Sequence, residues 1–284
     1  MNASFRQIAA VFPAMPTQDG AGVSLKRALG QSDRQRMDPY LMMDVFFSND
    51  PKDYLAGFPS HPHRGFETIT YMLEGNMLHE DHAGHRGELK TGGIQWMTAG
   101  KGIIHSEMPQ QVDGAMRGFQ IWLNLPSAEK MKAPAYQNIE AANLPKVPLA
   151  QGGEITLIAG QLELGGMRYQ SPVQASATRP LIADIRLEAG ETVELPISEE
   201  LNALLFLFEG EAEVEGKKLN FDQSALLTAG NALRLKAGER GGRAMLLAGK
   251  PLNEPVVQYG PFVMNSVEEI RQAIDDYNSG RFVG

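Results

Sequence analysis

The chain carries one β-type pattern twice. Thr68-Ile69-Thr70-Tyr71-Met72-Leu73-Glu74-Gly75 is matched by Ala203-Leu204-Leu205-Phe206-Leu207-Phe208-Glu209-Gly210, and Gln95-Trp96-Met97-Thr98-Ala99-Gly100 by Ala225-Leu226-Leu227-Thr228-Ala229-Gly230. Each stretch is a short, mostly apolar run closed by glycine, the pattern of a strand and its turn. Two copies of a single β module is therefore the economical architecture. The 30 glycines and 17 prolines agree, because they supply the turns that many short strands need. The two matched blocks lie closer together in the second copy. A hairpin around His79 to His85 accounts for the extra length in the first.

Taken in order, alternation over residues 23–30 suggests an early strand, and the apolar run 38–47 a buried one. Residues 48–60, rich in Asp, Pro and Gly, read as a loop leading into His61. Strands are expected over 68–73, 94–98, 103–107 and 118–125, a hairpin over 76–91 and a turn at Ala99-Gly100-Lys101-Gly102. Residues 127–148 are polar, contain proline and show little periodicity, as an interdomain connection would. This gives two domains, 1–135 and 136–284, a division that 284 residues accommodate. A helix closes the chain. Ser266-Val267-Glu268-Glu269 is a capping box, Val267, Ile270, Ile274 and Tyr277 share one face, and Gly280 follows as a left-handed cap.

Composition excludes several functions. The net charge of −8, with no run of Lys and Arg, argues against direct nucleic-acid binding. Without cysteine there is no disulfide or thiolate chemistry, so any metal must take N and O ligands. No apolar run reaches membrane-spanning length. The N-terminus is too short and too broken by Pro13 and Pro16 for a signal peptide. A cytoplasmic, monomeric protein is expected.

The chemistry concentrates in His61-Pro62-His63-Arg64-Gly65-Phe66-Glu67 and His105-Ser106-Glu107. A strand repeats every two residues, so His61 and His63 share one face, as do His105 and Glu107. Facing each other across a barrel, the two pairs would gather three imidazoles and a carboxylate. That set suits a first-row divalent metal with open coordination positions. The plainer alternative is two unrelated pairs of polar strand residues. The repeat tests this: counted from the shared Glu-Gly and Thr-Ala-Gly, the matching positions are Pro196, Ser198, Leu235 and Ala237, none a usual metal ligand. A purely architectural role does not require that joint replacement. A further cluster, His79, His82 and His85, lies among polar and glycine residues and reads as a solvated turn.

Together, His61 to Thr68, Glu74-Gly75, Gln95 to Gly100, His105-Ser106-Glu107 and Gly260-Pro261-Phe262-Val263-Met264-Asn265 resemble the pirin family of the cupin superfamily, over nearly the whole chain. The resemblance implies an all-β bicupin, two face-to-face jelly-roll β-barrels with a short C-terminal helix. The N-terminal domain would bind metal and the C-terminal one would be degenerate. It implies His61, His63, His105 and Glu107 as ligands. Fe2+ is the expected ion, with Mn, Ni, Co, Cu and Zn as other divalent candidates. It further implies a quercetin 2,3-dioxygenase-like oxidoreductase that cleaves a small aromatic substrate such as a flavonol. There Glu107 would act as ligand and catalytic base. The alternative is a non-enzymatic, iron-dependent redox sensor that binds a protein partner, akin to a transcription cofactor. A vestigial site in a structural bicupin is a third reading. Glu67, which the general cupin pattern would use as a ligand, is expected to orient a ligand or bond Arg64. Phe66, Met72, Trp96, Met97, Met108 and Phe119 are candidates for the pocket wall.

Overall fold

A computed structural model describes residues 3–32, 35–174 and 177–283. Strands make up most of the regular structure, and the chain gathers into two compact units. One comprises Pro16–Arg27, Tyr40–Ala141 and Leu252–Gly284; the other comprises Met1–Met15, Ala28–Pro39 and Ala142–Pro251. The units are therefore not the continuous blocks 1–135 and 136–284 expected from the sequence. In the second, Ile8–Pro13 pairs with Gln223–Leu227. Among the described residues no helix is long and apolar enough to cross a membrane.

Among the described residues the first unit has two large antiparallel sheets and a two-stranded pair, Val257–Tyr259 with Phe262–Met264. The seven-stranded sheet runs, in spatial order, Ala135–Ile139, Ile94–Thr98, Phe66–Glu74, Met116–Asn124, Tyr40–Ser48, Val23–Leu29 and Met15–Asp19. The four-stranded sheet runs Phe58–His63, Ile103–Pro109, Asn76–Asp81 and Arg86–Lys90. The expected strands are all present, and the hairpin falls at Asn76–Asp81 with Arg86–Lys90. The loop before His61 is shorter than expected, because the strand already begins at Phe58. In the second unit one nine-stranded sheet does the work of two, because Asn202–Val214 and Ala232–Gly249 are long enough to pair with strands at both ends. Its core is a large cluster of aliphatic side chains, among them Ile155, Leu157, Ile185, Leu205 and Leu246.

The repeat is reproduced in the pairing register. Ile69 lies opposite Trp96 and Thr70 opposite Gln95; their counterparts Leu204 and Leu205 lie opposite Leu226 and Ala225. The segment 127–148 is not a bare connection. Ala135–Ile139 adds to the first unit's sheet and Lys146–Pro148 to the second's. Both are short, half-exposed edge strands, and an edge has too little buried face to impose an apolar rhythm.

The C-terminal helix Val267–Asn278 starts as expected. Ser266 Oγ accepts from Glu269 N at 3.2 Å, while the Glu269 carboxylate reaches back to Asn265 N at 3.0 Å. Its buried face is Ile270 and Ala273, packed with Phe262, Met264 and Phe282. Val267 and Tyr277 remain exposed, contrary to the expected stripe, because the covering segment is short. The helix is tied to the sheets by Arg64, which donates to Asp276 Oδ2 at 2.7 Å and to Lys101 O at 2.5 Å. The buried Lys130 ammonium adds a second tie, donating to Gly65 O, Asn124 Oδ1 and Val263 O.

Candidate metal centre

His61 and His63 end the strand Phe58–His63, and His105 sits directly opposite His61 in the paired strand Ile103–Pro109. Strand parity then turns all three rings into the first unit's interior. One nitrogen from each lies within 4.8 Å of the others. The Nε2 atoms of His61 and His63 are 3.0 Å apart. Two nitrogens in adjacent positions on an ion, each about 2.1 Å from it, would be separated by about 3.0 Å.

The outer nitrogens fix which atoms face inward. His61 Nδ1 donates to the Pro59 carbonyl at 2.8 Å, leaving Nε2 bare. His105 Nδ1 lies 2.8 Å from His79 Nε2, and His105 Nε2 is buried with no hydrogen-bond partner among the described residues. The tautomer with the proton on His105 Nδ1 satisfies that contact and bares Nε2. Ligating histidines are ordinarily held in this way by an acceptor behind the ring. Burial, then the neighbouring His61 ring, pushes the His63 imidazole well below its ordinary pKa; burial, then His63, does the same for His105. Both rings are therefore neutral near pH 7, the form that binds a cation. An orphaned inward nitrogen, neutral rings and matching spacing together fit a divalent metal.

His79 corrects the expectation of a solvated turn. It is only 4% exposed, behind His105, with its Nε2 also 3.2 Å from the Tyr136 hydroxyl. The turn reading suits its neighbours: His82 and His85 are exposed, His82 Nδ1 accepting from Ile104 N and His85 pairing with Asp81 at 2.8 Å. The missed signal was parity. His79 shares a strand face with the buried Met77 and stands opposite Glu107 in register.

Glu107 follows a register shift after His105 and is buried in the same cavity wall as His61 and His63. Its Oε2 accepts from Gln120 Nε2 at 3.3 Å and its Oε1 lies 3.2 Å from the Thr70 hydroxyl, which donates to Gln120 Oε1 at 2.5 Å. The close set of donor atoms comprises the three imidazoles; the carboxylate stands beside it. Glu67 is buried elsewhere. It accepts from Thr98 Oγ1 at 2.6 Å and lies 3.9 Å from Lys132 Nζ, whereas Arg64 pairs with Asp276.

The cavity measures about 610 Å3. Its apolar wall is Leu25, Met42, Phe46, Phe58 and Trp122; its polar wall includes Arg27, Asp44, Glu107 and Gln120. None of the six residues expected to line it does so. Phe66, Met72, Trp96, Met97 and Phe119 are fully buried within the protein core. The strands Phe66–Glu74 and Met116–Asn124 are covered on both faces, so apolar character alone could not say which side meets the cavity.

Among the described residues the second unit has no counterpart. All six histidines of the chain lie in the first. The count that pointed to Pro196 and Ser198 needs correcting, because both are exposed. Pro196 pairs with Ala232 and Leu235 with Val193, a register that differs from His61 opposite His105. The inward positions there are Leu195, Ile197, Leu233 and Leu235, all buried apolar core.

A family model described as Pirin matches residues 22–123, and one described as Pirin C-terminal cupin domain matches residues 182–283. A Pseudomonas aeruginosa protein provisionally named a quercetin 2,3-dioxygenase is 49% identical over 279 residues, 97% of this chain and 98% of that one. A pirin-like protein of Caulobacter vibrioides is 45% identical, with 98% and 99% covered. The crystal structure of a quercetin 2,3-dioxygenase from Acinetobacter baumannii superposes with a TM-score of 0.90 at 32% identity, covering 98% of this chain and 99% of that one.

Proposed function

We propose, since this chain belongs to the pirin family and has its bicupin fold, that it is a metal-dependent dioxygenase cleaving a flavonol in the manner of a quercetin 2,3-dioxygenase. His61, His63, His105 and Glu107 would hold the ion, Fe2+ by preference. The observation that supports this best is the meeting of three imidazoles at the wall of a cavity about 610 Å3 in volume, beside one carboxylate. A bound divalent ion would supply Lewis acidity, lowering the pKa of an enolic hydroxyl, and redox access to dioxygen.

The protein's own residues do the rest. Phe46, Phe58 and Trp122 offer flat apolar surface to an aromatic ring system and displace water from it. A Glu107 oxygen takes the proton of the substrate hydroxyl as general base. Gln120, itself bonded by Thr70, holds that carboxylate in place. His79 keeps the His105 ring turned inward.

Anaerobic loading with Fe2+, Mn2+, Ni2+, Co2+ or Cu2+, followed by oxygen uptake with quercetin, tests the reading. Uptake in step with flavonol loss supports it; no uptake with any of the five ions removes it. A redox-dependent change in affinity for a protein partner, without turnover, would favour the regulator instead.

A further inference from the structure

A row of polar residues crosses the first unit's sheet at the level of Glu107. Asp44 stands opposite Gln120, Gln120 opposite Thr70, and Thr70 opposite Gln95 on successive strands. Arg27 closes the row, donating from Nε and Nη2 to the two Asp44 oxygens at 2.8 and 2.7 Å. The second unit shows what the fold itself requires at these positions. Its matching row, in the same register, is Ala183, Leu246, Leu205 and Ala225. All four are buried apolar core. The architecture thus stands with alanine where Asp44 is.

Asp44 is only 2% exposed, and it faces the same cavity as the imidazole cluster. A buried ion pair is no more stabilising than well-packed apolar residues of similar size, so stability does not account for this one. Gln120 and Thr70 already have a task, holding Glu107. Arg27 and Asp44 bond to each other, and Arg27 Nη2 also lies 3.7 Å from Asp19. What they present to the cavity is a carboxylate acceptor beside a guanidinium donor. Each Asp44 oxygen has more than one acceptor site, and the fork of Arg27 engages the carboxylate from one side. The group that matches an acceptor and a donor placed side by side is a hydroxyl, which donates to one and accepts from the other.

We propose that Asp44 and Arg27 are specificity-determining residues that read a second hydroxyl on the substrate, remote from the one that meets Glu107. The substrate class is then the polyhydroxylated flavonols rather than flavonols bearing the 3-hydroxyl alone. This rests on the flavonol reading above and narrows it.

The test compares two flavonols on the full-length, metal-loaded protein under anaerobic conditions. Dissociation constants for quercetin and for 3-hydroxyflavone are read from the ligands' absorbance and fluorescence. The wild type is expected to bind quercetin about ten-fold or more tightly, as the loss of a hydrogen bond to a charged group implies. In Asp44→Ala, the residue of the second unit's row, the ratio of the two constants falls toward one, and Arg27→Met moves it the same way. Asp44→Asn keeps the volume, so it serves if the alanine variant does not fold, and is expected to lose most of the preference. Equal affinities in the wild type overturn the proposal while leaving the flavonol reading intact. So does a loss in Asp44→Ala that falls equally on both ligands. Binding and oxygen uptake absent for both flavonols would remove the flavonol reading and this proposal with it.

Discussion

Replacing His79 separates a residue that merely fills space from one that sets a ligand's proton. In the native protein His79 Nε2 lies 2.8 Å from His105 Nδ1, the contact that the inward-facing tautomer of His105 satisfies, and His79 is only 4% exposed. In His79→Leu the acceptor is gone. Leaving the His105 N–H buried and unpaired costs about 1–3 kcal/mol. The ring then favours the other tautomer, with its proton on the nitrogen that faces the ion. Metal binding must undo that choice. The expected loss of affinity is about ten- to a hundred-fold, or about 1.4–2.7 kcal/mol, the range found when such outer partners are removed. Titration against a competing chelator measures it directly. His79→Gln, whose amide oxygen can accept the same proton, should stay within a few-fold of the wild type. Unchanged affinity in His79→Leu, or equal losses in Leu and Gln, would refute the tautomer argument and leave His79 as packing.

Three further outcomes follow from the same structure. Glu107→Gln should fold and melt like the wild type, because its hydrogen-bond partners Thr70 and Gln120 can adapt. Its flavonol turnover should fall about 100-fold or more, as loss of a general base implies; unchanged turnover would free Glu107 of that role. Lys130 is held well below its ordinary pKa of 10.5, at about 8, chiefly by burial. The unfolded chain therefore binds the extra proton between those values, and stability contributed at this site rises with pH from about 8 to 10.5, by about 3 kcal/mol at most. Lys130→Met should lack that rise when chemical denaturation is compared at pH 7.5 and 10, and parallel curves would contradict the assignment. Gly65→Ala should be strongly destabilised, by more than about 2 kcal/mol, in thermal melting. Gly65 has a φ of +91°, and an added Cβ would lie 2.0 Å from the Val263 carbonyl oxygen.

Much of this was legible in the sequence because strands write their faces in alternate residues. Spacing put His61 with His63, and His105 with Glu107, on shared strand faces, and the fold brings the three rings together. The repeat, read as matched strings, proved to be matched in register, Thr70 with Gln95 as Leu205 with Ala225. Three things were not legible. Pairing between residues as distant as Val11 and Ala225 leaves no local pattern, so the exchange of N-terminal segments between the two units could not be seen. Where both faces of a strand are buried, as around Phe119 and Trp122, apolar residues do not declare which of them meets the cavity; only the pairing put Trp122 there. His79 was hidden by its company. Polar, glycine-rich neighbours make a hairpin look solvated, although the strand's parity turned this one ring inward.

The most direct measurement is the metal content of protein purified without an affinity tag, on the wild type and on His63→Ala, with the ion's site located by its anomalous scattering in crystals. The account predicts close to one divalent ion per chain, beside the nitrogens of His61, His63 and His105, and its loss in the variant. An ion found in the second unit, or at His82 and His85, or undiminished content in His63→Ala, would contradict it.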